Sequence, residues 1–157
     1  MNNILLLTEE EDIPTIILTK EDFPINYVNN LHPDDHKIVD SPIDMERIFH
    51  QKKNHNRLLL RISIRVSNSF ISATFVCDTG APNDLYLSDE LKQIIRSRIG
   101  EDLFQNEFIK IGNEYALICS PPSNHHNINI IGLRLLDKFE LMVKNGMFTF
   151  NNIPEYF

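Results

Sequence analysis

A chain of 157 residues with 42% apolar side chains can bury one sizeable core, which excludes disorder throughout. Twenty-two acids against fifteen bases leave a formal charge of −7, which argues against nucleic acid or anionic lipid as the main partner. The two cysteines, Cys77 and Cys119, have neither metal-ligand spacing nor a disulfide framework, and predict two reduced, mostly buried thiols.

The N-terminal apolar run, Ile4 to Leu7, is four residues long and is followed by acids, too short and wrongly flanked for a signal peptide. No segment approaches a membrane span, so a cytoplasmic or otherwise intracellular protein without a membrane partner is expected. Residues 1–56 carry scattered turn signals at Ile13-Pro14, Phe23-Pro24, His32-Pro33 and Ser41-Pro42, with short apolar runs such as Thr15 to Leu18 between them. They read as an N-terminal extension of mixed or partly disordered structure. Within it, Ser41 as N-cap, Pro42 at the first helical position and Asp44 three residues after Ser41 predict a helix. Ile43, Ile48 and Phe49 would form its apolar side, and Gln51 to Asn56 would be a linker.

From Arg57 the periodicity sharpens. Leu60, Ile62, Ile64 and Val66 alternate with Arg61, Ser63 and Arg65, the period of a half-buried strand. Ser67-Asn68-Ser69 is a turn signal, and Ile71, Ala73, Phe75 and Cys77 repeat the alternation, which predicts a β-hairpin. A short extended piece, Leu85 to Leu87, precedes SDELKQIIRSRIG, where Ser88 caps, Leu91, Ile94 and Ile95 share a face and Gly100 stops a helix over 88–99. Phe108 to Ile111 and Tyr115 to Cys119 flank Gly112-Asn113 as a second hairpin. A Pro-rich loop, SPPSNHHN, leads to INIIG, then to a short helix over 133–139, and ELMV and MFTF close the chain as a hairpin around Asn145-Gly146. Short strands with two helical insertions fit a mainly β barrel or sandwich.

Several clusters compete for chemistry. His32, Asp34, Asp35 and His36 are spaced as a turn more than as metal ligands, so no metal and no cofactor is expected. The adjacent imidazoles of His125 and His126 point apart on an extended chain. No serine has the context of a nucleophile elbow. The alternation puts Cys77 in the core, away from nucleophilic work, and Arg96 and Arg98 read as a solvated helix face.

FVCDTGAPND, residues 75–84, is different: a carboxylate stands at the exit of a buried strand, before Thr79 and Gly80. Taken alone, D-T-G is matched equally by an ordinary turn with Asp78 accepting backbone hydrogen bonds. Together, the strand with DTGA and the downstream NIIGLRLLDKF resemble the retropepsin family of aspartic peptidases. The resemblance runs in order over about residues 57–151, leaving 1–56 as the extension and 152–157 as a tail. It implies a closed acid-protease barrel with one short C-terminal helix, here with a helix over 88–99 in place of the family's glycine-rich flap. It implies that the catalytic loop and the Ile130-Ile131-Gly132 strand interlock, and that MFTF joins a dimer sheet.

Carried over by position, the resemblance makes Asp78 the catalytic aspartate. Thr79 locks two loops together, Gly80 lets substrate backbone lie close, and Ala81 follows. Ala81 in place of Ser implies a working range less shifted to acid. Substrate or loop contacts are implied at Pro82, Asn83, Asp84 and Arg134. Pro82 and Asn83 depart from acids found there in some members, and Asp84 is a candidate partner for Arg134, against a solvent-exposed arginine. With a single D-T-G in the chain, the implied enzyme is a homodimer acting on a peptide or protein. The alternative is a catalytically inactive fold serving dimerisation or peptide binding.

Overall fold

A computed structural model describes residues 33–52, 55–99, 108–121, 126–145 and 147–154. The founding unit is the hairpin of β3 (His55–Val66) and β4 (Ser69–Cys77), in register from Leu59↔Val76 to Val66↔Ser69. Ser67 turns the corner with φ 55°. The expected inward set holds: Leu60, Ile62, Ile64, Val66, Ile71, Ala73 and Phe75 all lie in one buried core. The expected half-burial does not: Arg61, Ser63, Ser72, Thr74 and Val76 on the other face are buried as well, because residues of the extension and of the second apolar cluster cover them. Burying such side chains is the main favourable term in folding.

Four further strands complete a ring. They are β5 (Leu85–Tyr86), β6 (Phe108–Ile111), β7 (Glu114–Cys119) and β8 (Ile130–Ile131). The order is β4-β8-β5-β7-β6-β3, and β3 pairs back to β4, which closes a six-stranded barrel. The seam between β3 and β6 is the pair Arg65↔Lys110. Gly112, with φ 57°, makes the turn of the β6–β7 hairpin.

Helix α1 (Asp89–Ile99) begins where Ser88 Oγ accepts the Leu91 N–H at 3.2 Å, with Asp89 and Glu90 in its first turn and Arg96 and Arg98 in its last. Leu91 and Ile95 are fully buried in the barrel core and Ile94 packs against it. The helix is therefore bolted to the barrel by its apolar face. Gly100, its expected stop, lies outside the described residues. Helix α2 (Leu133–Lys138) buries Leu135 and Leu136, and β9 (Leu141–Lys144) and β10 (Met147–Phe150) follow as the C-terminal hairpin. Asn145 takes φ 51° in its turn.

Two expectations for the extension are corrected. Residues 46–52 are not helical: β2 (Glu46–Lys52) pairs with β3 from Glu46↔Arg61 to Lys52↔His55. Gln51 to Asn56 is likewise no linker, because Gln51 and Lys52 end β2 and His55 and Asn56 begin β3. The physical reason is that β3 offers a long edge, and a ladder along seven residues outweighs a local cap signature. The Ile43 N–H goes to Ser63 Oγ at 2.9 Å, across the sheet and not into a helical turn.

The rest of the described extension is also fixed to the barrel. Strand β1 (Ile38–Val39) pairs with β4 at Phe70 and Ile71. Residues 33–36 form a turn in which the Asp35 carboxylate, though not the whole residue, is buried. Asp35 accepts the Arg61 Nε–H at 2.8 Å and the Thr74 hydroxyl at 2.5 Å. Residues 1–32, with the expected short strands, lie outside the described residues. Among the described residues no helix is long and apolar enough to cross a membrane.

Candidate functional site

The site is made by a crossing of chain segments. Strand β8 lies between β4 and β5, parallel to β4 (Val76↔Ile130, Cys77↔Ile131) and antiparallel to β5 (Leu85↔Ile131, Tyr86↔Ile130). Strands β4 and β5 are consecutive, so the loop joining them, residues 78–84, must pass around the end of β8. Three main-chain hydrogen bonds knit it there. The Asp78 N–H donates to Ile131 O at 2.9 Å, the Leu133 N–H to Ala81 O at 2.7 Å, and the Gly132 N–H to Asp84 O at 2.9 Å.

Gly132 is dictated by this crossing. Its backbone is extended, with φ −91° and ψ 179°, which any residue adopts. A Cβ there would stand 2.0 Å from Asn83 O and 2.7 Å from Ala81 O. Gly80 is constrained more gently: a Cβ would stand 3.1 Å from Asp78 Oδ1. The value of Gly80 lies in close approach to the carboxylate, since the Gly80 N–H donates to Asp78 Oδ1 at 2.9 Å. Asp78 is half-buried, and the Ala81 N–H donates to its carbonyl at 3.1 Å. The loop so holds one carboxylate at the end of a barrel strand with one oxygen already bonded. Thr79 and Ala81 are half-buried beside it, and Pro82 is exposed. The Asn83 N–H donates to the Tyr86 hydroxyl at 3.0 Å.

The loop rests on apolar material from both sheet faces. Inside is the barrel core, with Ile131 and Leu85. Outside is a second cluster of Leu59, Val76, Tyr86, Ile128 and Ile130, against which Ala81 and Cys119 pack. Cys77, one residue before the carboxylate, is packed on the inner core. Burial, and after it the Asp78 charge, push its thiol far above the ordinary thiol value, so it stays protonated.

One expected pairing is replaced by another. Arg134 is exposed on α2, whereas Asp84 is almost wholly buried and its neighbouring cation is Lys138. Asp84 Oδ2 accepts the Leu117 N–H at 2.9 Å and pairs with Lys138 Nζ at 3.5 Å. Lys138 donates to Tyr115 O of β7 at 3.0 Å, which brings its ammonium beside Asp84.

A residue the motif reading did not single out is Asn129. It is 2% exposed and joins four segments. Its carbonyl accepts the Val76 N–H at 2.8 Å, and its Oδ1 accepts the Ser88 N–H at 2.8 Å. Its Nδ2 donates to Thr74 O at 3.4 Å and meets His36 Nε2 at 3.1 Å. The other ring nitrogen of His36 lies 3.2 Å from Glu90 of α1. Asn129 thus ties the strand entering Asp78, the start of α1 and the described part of the extension to the second motif. The signal available was its place immediately before Ile130-Ile131-Gly132.

The HPDDH segment contributes Asp35 and His36 to these structural contacts; His32 and His125 lie outside the described residues. Among the described residues no group of three or more His, Cys, Asp or Glu is gathered for a metal. Compared with protein-family models, with curated proteins and with solved structures, the chain matches none of them.

Proposed function

We propose that the chain is a homodimeric aspartic endopeptidase of the retropepsin type, with Asp78 of each subunit as one half of the catalytic pair. The observation that carries this reading is the threading of β8 between β4 and β5, with the Asp78 loop wrapped on Gly132. An ordinary Asp-Gly turn needs no strand from fifty residues downstream to shape it. Here the loop's form depends on one.

Two carboxylates brought together on a two-fold axis share one proton, because both cannot ionise easily at short range. The pair then titrates as a unit. The ionised member takes a proton from a bound water, which attacks the scissile carbonyl. The protonated member donates to the carbonyl oxygen, and collapse of the tetrahedral intermediate sends a proton to the leaving amine. The Gly80 N–H on Asp78 Oδ1 supports this reading by holding the carboxylate in one orientation. The expected partners are a second copy of the chain and a peptide or protein substrate, with no cofactor.

A second reading keeps the fold as a dimerisation or peptide-binding module without turnover. It is favoured by α1, which occupies the interval where the resemblance implies a flap and is fixed to the core through Leu91 and Ile95. Asp78→Asn separates the two. Wild type and variant are incubated with a peptide library across pH 4–7, with and without a statine-type inhibitor, and their mass is taken by light scattering. The peptidase reading expects a dimer and inhibitor-sensitive cleavage only by wild type. Equal, inhibitor-insensitive turnover by both forms would sink it.

A further inference from the structure

The buried carboxylate of Asp84 has no part in the chemistry above. It is 1% exposed, at the exit of the loop that Asp78 opens. Its Oδ2 takes the Leu117 N–H and faces Lys138, but its Oδ1 has no hydrogen-bond partner among the described residues. A buried charge held so incompletely is a poor device for stability. An asparagine would serve the Leu117 amide equally well without burying charge. What the carboxylate adds is its link to Lys138 at the end of α2.

We propose that Asp84 is a positioning residue for Asp78: its side chain clamps the exit of the 78–84 loop to β7 and α2. The clamp complements the Asp78 N–H bond to Ile131 O, which fixes the entry. Between these two anchors the loop is held by the Leu133 N–H on Ala81 O, the Asn83 N–H on the Tyr86 hydroxyl and its own turn bonds to Asp78. Its exit is held by the Gly132 N–H on Asp84 O together with the Asp84 side chain, so loosening that side chain lets the Asp78 carboxylate shift. Lys138 completes the clamp, since its ammonium also bonds Tyr115 O and so draws α2 and β7 together across the loop. This role rests on the peptidase reading for its meaning but not for its test.

The test reads Asp78 placement directly. The Gly80 amide is bonded to Asp78 Oδ1, so its resonance in an amide correlation spectrum reports where that carboxylate sits. Gly112, in the β6–β7 turn, serves as a control. Asp84→Ala and Lys138→Met are expected to displace the Gly80 resonance and leave that of Gly112 in place. Asp84→Asn, which keeps an acceptor for Leu117, is expected to move Gly80 less than Asp84→Ala does. On substrate, Asp84→Ala is expected to lose about a hundredfold in kcat with KM little changed, as for a reacting group displaced by about 1 Å. If Asp84→Ala does not fold, the surface-accessible Lys138→Met decides. A folded variant of either kind whose Gly80 resonance coincides with wild type overturns the proposal. A displaced Gly80 resonance in a protein whose wild type cleaves nothing supports the positioning role and counts against the peptidase reading alone.

Discussion

Gly132→Ala puts the interlocking of the two motifs to a quantitative test. The backbone there is extended, so alanine suffers no conformational penalty. In an open position, that exchange would stabilise by about 0.4–1 kcal/mol through the unfolded chain. The crossing reverses the sign. The new Cβ would lie 2.0 Å from Asn83 O and must gain about 1 Å to reach the 3.0 Å that such contacts respect. The 78–84 loop has to lift off β8 by that distance, which breaks the Gly132–Asp84 and Leu133–Ala81 hydrogen bonds of 2.9 and 2.7 Å. Two such bonds are worth roughly 1–3 kcal/mol, and overpacking of a tight interior costs about 1–3 kcal/mol more. The expected loss is about 2–6 kcal/mol, a fall in Tm of roughly 5–20 °C for a domain of this size. Thermal unfolding followed by circular dichroism measures it, with the Gly80 amide as local reporter. A Gly132→Ala protein with Tm within about 2 °C of wild type would refute the idea that this glycine exists for close approach.

Three more perturbations probe other features. Asp35→Ala leaves the buried Arg61 guanidinium with only the exposed Glu46 at 3.6 Å and the Ser72 hydroxyl among its described partners, and is expected to cost about 3 kcal/mol in urea denaturation, with Asp35→Ala/Arg61→Met recovering much of it. Asn129→Ala leaves the buried Ser88 N–H without its acceptor and should cost about 1–3 kcal/mol, removing the contact with His36 Nε2 at the same time; an unchanged urea midpoint would contradict its role as a junction. Cys77 gives a pH prediction. Its thiol is raised by burial and then by Asp78, so the folded form keeps its proton where the unfolded thiol loses it. Its contribution is complete below the ordinary value of 9.0 and declines as pH rises above it. Replacement by Ser should flatten the alkaline loss of stability, and in wild type at pH 8 Cys77 should react with a thiol reagent more slowly than Cys119.

The barrel strands were legible because one face of each is apolar: Leu60, Ile62, Ile64 and Val66 announce β3, and Ile71, Ala73 and Phe75 announce β4. Helix α1 was legible for the same reason, with Leu91 and Ile95 on one side and a capping Ser88. Strand β2 was not, because Ser41-Pro42-Ile43-Asp44 satisfies a helix-start pattern locally while the deciding partner, the edge of β3, lies beyond it in sequence. The burial of Arg61 and Ser63 on the outer face was equally hidden, since their polarity reads as solvent exposure until Asp35 of the 33–36 turn meets Arg61 and the Ile43 N–H meets Ser63. At the site, the crossing of DTGA with IIG was visible as two motifs in order. The partners of Asp84 were not, because a lysine at 138 and a backbone amide at 117 leave no mark in a motif.

The threading of β8 also sets the order in which the molecule can assemble. Hairpins such as β3–β4 and β6–β7 close over a few residues and need nothing from elsewhere. Strands β4 and β5 cannot zip together as neighbours; the gap between them has to wait for Ile130 and Ile131, and contacts of such long sequence separation form slowly. A nascent chain that has emerged only as far as Cys119 therefore contains Asp78 and every strand up to β7, yet lacks the wedge that gives the 78–84 loop its shape. The 78–84 loop takes its shape only with Ile130 and Ile131 paired between β4 and β5, so any activity that depends on Asp78 requires that closure.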